Sequence, residues 1–96
     1  MKELKTGLTA TVSETVLYTN TASALGSGLL DVYATPAMVA LMEKAAVTAI
    51  EPFLDETEGS VGIKMNISHD SATLPGKLVS ATAELTAIDG RRLVFS

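Results

Sequence analysis

The 96-residue chain has no cysteine, no tryptophan, a single histidine, three prolines and only four aromatic residues of the Phe/Tyr type. Without cysteine there is no disulfide framework, no thiolate nucleophile and no cysteine-type zinc site. One imidazole and scattered carboxylates make a poor ligand set, so no metal is expected. Positive charge is also scarce: seven Lys and Arg stand against eleven Asp and Glu, a net charge of −4. That balance leaves no electrostatic footprint for nucleic acid. No apolar run is long and uncharged enough to span a membrane. The N-terminal MKELKTGLTATV alternates instead of forming a secretory apolar core, which makes a cytoplasmic location the expectation. No serine sits in a nucleophile elbow, and Gly26-Ser27-Gly28 lacks the lysine and strand context of a P-loop.

What is present is apolar. Hydrophobic residues make up 47% of the chain, enough for a packed globule and more than a small monomer hides easily. One domain spanning residues 1–96 is expected, with part of its apolar surface facing a second subunit.

The organising stretch is TPAMVALMEKAAVTAIE, Thr35 to Glu51. Thr35 suits an N-cap and Pro36 the first helical position; strong helix formers follow until Pro52. At about 100° per residue, Lys44, Thr48 and Glu51 share one narrow solvent stripe, and nearly everything else is apolar. Such a helix is expected to be enclosed by the rest of the fold. Glu43 is the exception, lying off the stripe beside Val39, Val47 and Ile50. A carboxylate there is either satisfied at the edge of the apolar arc or across a dimer seam, or it is functional.

Around this helix the pattern predicts strands. GLTATVSETVLY (Gly7 to Tyr18) is rich in Thr and Val, and VGIKMNIS (Val61 to Ser68) alternates strictly. KLVSATAELTAI (Lys77 to Ile88) alternates too, and Asp89-Gly90 is a hairpin signal that returns the chain through RRLVF. Thr19 to Gly28 reads as a loop with one helical turn near Ala22 to Leu25. Leu29 to Ala34 then delivers the chain to the helix start, where Leu29 would wall any pocket. Gly62 marks a bulge or a close approach of a ligand to the backbone. The sum is an α+β fold, an antiparallel sheet wrapped around one long central helix.

Three polar residues remain as candidates: Thr35, Glu43 and His69. The segments VYATPAMVALMEKAAVTAIEPFL, GSVGIKMNISHDSATLPG and ATAELTAIDGRRLVF resemble the fluoroacetyl-CoA thioesterase-like branch of the hotdog-fold acyl-CoA thioesterases. The resemblance runs from Asp31 to Phe95. It implies a hotdog fold, a homodimer with active sites at the subunit interface, and a catalytic set of Thr35, Glu43 and His69. Gly62 matches a glycine whose backbone lies in that site.

The implied reaction is hydrolysis of a small acyl-CoA. Glu43 would act as base for water or as nucleophile, Thr35 would orient, and His69 would protonate the leaving thiolate. Backbone near Pro36, Ala37 and Gly62 would polarise the thioester carbonyl. Coenzyme A enters as part of the substrate, and no separate cofactor is implied. Two departures accompany the match. The phenylalanine-bearing lid of the fluoroacetyl-CoA enzyme is replaced by a region with Gly26 and Leu29, so that specificity is not carried over. Family members also continue past this point, so the C-terminal strand of the fold is expected to be missing or truncated. The competing reading is a non-catalytic acyl-CoA-binding or interaction module. A hotdog dehydratase fits the pattern around Thr35 and Glu43 less well.

Overall fold

The computed structural model describes residues 3–96. Strand β1 (Thr9–Thr15) leads through a 3-10 turn (Tyr18–Asn20) to a single-turn helix, α1 (Ala22–Leu25). The long helix α2 (Thr35–Ile50) and a second 3-10 turn (Glu51–Phe53) follow, then β2 (Leu78–Asp89) and β3 (Arg92–Phe95). The three strands form one antiparallel sheet in the order β1-β2-β3. The architecture is α+β, as the pattern predicts.

Register follows from parity. β1 and β2 pair from Thr9↔Glu84 to Thr15↔Leu78, which puts Ala10 and Val12 on one face with Ala81 and Ala83. That face carries α2. Leu85 and Val16 are fully buried, and on the helix Leu41, Ala45, Ala49 and Ile50 turn inward. Small residues on both surfaces let helix and sheet approach closely. The opposite face is polar, and Thr11 Oγ1 meets Thr82 Oγ1 at 2.7 Å across a directly opposed pair. At the hairpin, Gly90 takes φ +60° at the first turn position after Asp89, a conformation costly for side chains with a Cβ.

The core is small, so a single truncation is costly. Leu85→Ala should lower unfolding free energy by about 2–5 kcal/mol in urea denaturation, because a fully buried leucine leaves a cavity. Leu29→Ala, at a side chain 96% exposed, should change it by less than about 0.5 kcal/mol.

Three expectations need correction. Val61 to Ser68 is not a strand: it takes no part in any ladder among the described residues. Alternation specifies two faces but supplies no partner for the backbone, and none lies beside this segment. Its apolar row is correspondingly bare, with Val61 86% and Ile63 73% exposed. Second, α2 is not enclosed all round. One sheet covers one stripe, leaving Glu43 and Val47 exposed along with Lys44 and Thr48. Third, the N-cap is Ala34, not Thr35, which begins the helix and makes no capping bond.

Candidate active site

Freed from capping, the Thr35 hydroxyl lies 2.8 Å from His69 Nδ1, the tautomer deciding which of the two donates. Both partners are held by backbone. Ala34 N–H donates to Asn20 O, and Ala22 N–H to Val32 O, folding residues 20–33 back onto the start of α2. On the other side, Tyr33 N–H donates to Thr73 O and Gly76 N–H to Val16 O, each at 2.8 Å. Gly76, at φ +93°, makes the turn that brings the His69 loop back to β2. Asp70, next to His69, accepts from the Ser68 hydroxyl at 3.0 Å.

Two cavities flank this pair. One of about 230 Å³ is walled by Ala22, Ser27, Val32 and Thr35; the other, about 430 Å³, lies over Met38, Leu41, Met42 and Ala81. Tyr33, His69, Asp70 and Ser71 form the wall between them.

Glu43 lies eight residues after Thr35, about 12 Å along the helix axis. Its side chain inclines toward the helix N-terminus, as helical side chains do. Among the described residues no hydrogen bond holds it, and none joins it to Thr35 or His69. Its carboxylate packs instead against Gly62, where a Cβ would overlap Oε2. Gly62 thus allows a backbone–carboxylate approach that no other residue permits. The structure therefore assembles two halves: Thr35 with His69, and Glu43 with Gly62. Pro36 is exposed and Ala37 half-buried in the first turn of α2, while Leu29, expected to wall a pocket, is almost fully exposed and belongs to neither cavity wall.

Two further residues escape the sequence reading. Tyr33 is 3% exposed, and its hydroxyl donates to Glu14 Oε2 on β1. Glu14 shares the inward parity of Ala10 and Val12, a lone carboxylate on the covered face of the strand. That parity was the available signal.

A long helix laid on an antiparallel sheet is the architecture of a hotdog domain, and here a hydroxyl–imidazole pair stands at the helix start with a carboxylate two turns on. The profile of the fluoroacetyl-CoA-specific thioesterase family matches residues 16–96. The fluoroacetyl-CoA thioesterase of Streptantibioticus cattleyicolor is 49% identical over 63 residues, 66% of this chain and 45% of that protein. The match thus spans less than half the length of that relative. Among solved structures, the fluoroacetyl-CoA thioesterase FlK superposes with a TM-score of 0.90 at 36% identity, over 98% of this chain and 74% of that one. A phenylalanine-to-alanine mutant of FlK in complex with fluoroacetate and CoA gives 0.89 at 37%, over 96% and 78%. A thioesterase superfamily member from Thermus thermophilus gives 0.84 at 33%, over 97% and 69%. The chain belongs to the fluoroacetyl-CoA-specific thioesterase family.

Proposed function

We propose that the chain hydrolyses a small acyl-CoA thioester to the free acid and CoA. The observation that carries this reading is the pairing of Thr35 with His69 at the start of the same helix that sets Glu43 against Gly62. Family membership supports it, and one solved relative is described as bound to fluoroacetate and CoA.

The thioester lies between the two halves. Glu43 either removes a proton from the attacking water or adds directly to the carbonyl carbon to form an anhydride that water then opens. Either way the C–S bond breaks and the CoA thiolate departs. His69 protonates the thiolate, and Thr35, bonded to Nδ1, fixes the ring so that the other nitrogen faces the substrate. The negative charge on the carbonyl oxygen is met either by N–H groups of the first turn of α2 around Ala37, Pro36 having none, or by the Gly62 N–H on the Glu43 side. Coenzyme A is part of the substrate, so the reaction needs no other cofactor.

The same proposal includes a cytoplasmic homodimer or higher homo-oligomer. Support for assembly comes from the bare row of Val61, Ile63 and Met65, and from Val47, all exposed apolar side chains. No helix among the described residues is long and apolar enough to cross a membrane.

The test is a panel of acyl-CoAs from acetyl upward, with fluoroacetyl-CoA included. Because the chain has no cysteine, a thiol reagent reads released CoA without protein background. Release that is fastest with the shortest acyl groups supports the proposal. Saturable binding of acyl-CoA without release would instead make the chain a binding module.

Gly62→Ala is informative within the same assay. The new methyl displaces the end of a flexible side chain, so folding should be little affected. Moving the carboxylate should nevertheless lower kcat by about tenfold or more, read against an unchanged melting temperature.

A further inference from the structure

We propose that Tyr33 is a positioning residue for the Thr35–His69 pair, clamping the start of α2 and the His69 loop to β1; this rests on the thioesterase reading. Three contacts meet at this one residue. Its hydroxyl donates to Glu14 Oε2 on β1 and lies 3.2 Å from Ala37 O in the first turn of α2. Its backbone N–H donates to Thr73 O, in the loop that begins at His69. Its ring forms part of the wall shared by both cavities, beside His69 and Asp70.

Each contact has a consequence for the pair. Thr35 is the first residue of α2, so the orientation of its hydroxyl follows the orientation of the first turn. Ala37 O is the carbonyl in that turn within reach of a buried donor outside the helix. On the opposite side, Thr73 O is the point where the loop carrying His69 is pinned to the segment preceding the helix. Tyr33 thus connects three elements, β1 and α2 through its hydroxyl and the His69 loop through its backbone N–H, and their relative placement determines the 2.8 Å contact between Thr35 and His69.

The chemistry of the clamp is matched to its burial. Glu14 occupies the inward parity of β1, where an unpartnered carboxylate would be costly. Tyr33 supplies a donor to it. Burial first, then the hydrogen bond and the charge of Glu14, push the phenol well above its ordinary range. The hydroxyl therefore stays protonated and keeps donating throughout the working pH range.

Tyr33→Phe keeps the ring and removes the donor. His69 is the single histidine of the chain, so its imidazole resonances report on this position alone. The expected result is a folded protein whose His69 ring resonances shift. Its kcat should fall about tenfold with KM within about twofold, because a misplaced catalytic group costs rate and not ground-state binding. A merely structural role would lower the melting temperature and leave both the resonances and kcat in place. That outcome overturns the proposal. Should Tyr33→Phe not fold, Glu14→Ala carries the same test, since it keeps the tyrosine and removes its anchor on β1. Unchanged kcat and unchanged His69 resonances in Glu14→Ala would equally overturn it. If the unmodified chain shows no turnover, the thioesterase reading fails, and the resonances alone still decide whether Tyr33 holds His69.

Discussion

Replacing Glu43 by glutamine is expected to reduce thioester hydrolysis by about a thousandfold while acyl-CoA affinity stays within a few-fold. The amide has nearly the shape of the carboxylate but neither takes a proton from water nor attacks a carbonyl. Both roles open to Glu43 are lost together. The substitution should be almost silent for folding, because Glu43 is exposed and no hydrogen bond holds it among the described residues. An exposed, unbonded side chain contributes less than about 0.5 kcal/mol to stability. Loss of turnover at constant melting temperature therefore isolates chemistry from structure. If turnover fell only in proportion to a loss of folded protein, Glu43 would be a structural residue.

The second large effect is expected at His69. His69→Ala should lower kcat by about a hundredfold, the lower part of the range for losing a general acid. The reason is the leaving group: without a proton donor the CoA thiolate departs unprotonated, and without the ring Thr35 loses its hydrogen-bond partner. Thr35→Val removes the same hydrogen bond from the other side. The two losses should not add, since each substitution breaks one shared contact of 2.8 Å. A double variant no slower than the worse single variant is the expected kinetic signature. Fully additive losses would show that Thr35 and His69 act separately.

Much of the fold is legible in residue order because local chemistry dictates it. The Thr35-Pro36 start and the Pro52 stop bound α2, and Asp89-Gly90 places the hairpin between β2 and β3. Thr35 and His69 could be named as candidates, but their contact joins residues 34 positions apart. Only the folded path of residues 20–33 and of the loop after His69 brings them together. Val61 to Ser68 shows the opposite case. Its alternation is strong, yet a strand exists only with a neighbour that accepts its N–H groups, and alternation is silent about neighbours. The sequence pattern puts Glu43 on an enclosed helix because apolar residues surround it in sequence. How many faces of α2 are covered depends on how many strands stand beside it, and a helical pattern does not count strands. Tyr33 and Glu14 lie 19 residues apart, and each looks ordinary until parity and burial are known together.

The most direct measurement follows one reaction of the unmodified chain with acetyl-CoA in water enriched in oxygen-18. The account predicts one free CoA thiol for each acetate released, with the label in the acetate carboxylate. Acetyl-CoA that binds and is recovered intact, with no thiol and no labelled acid, would contradict it.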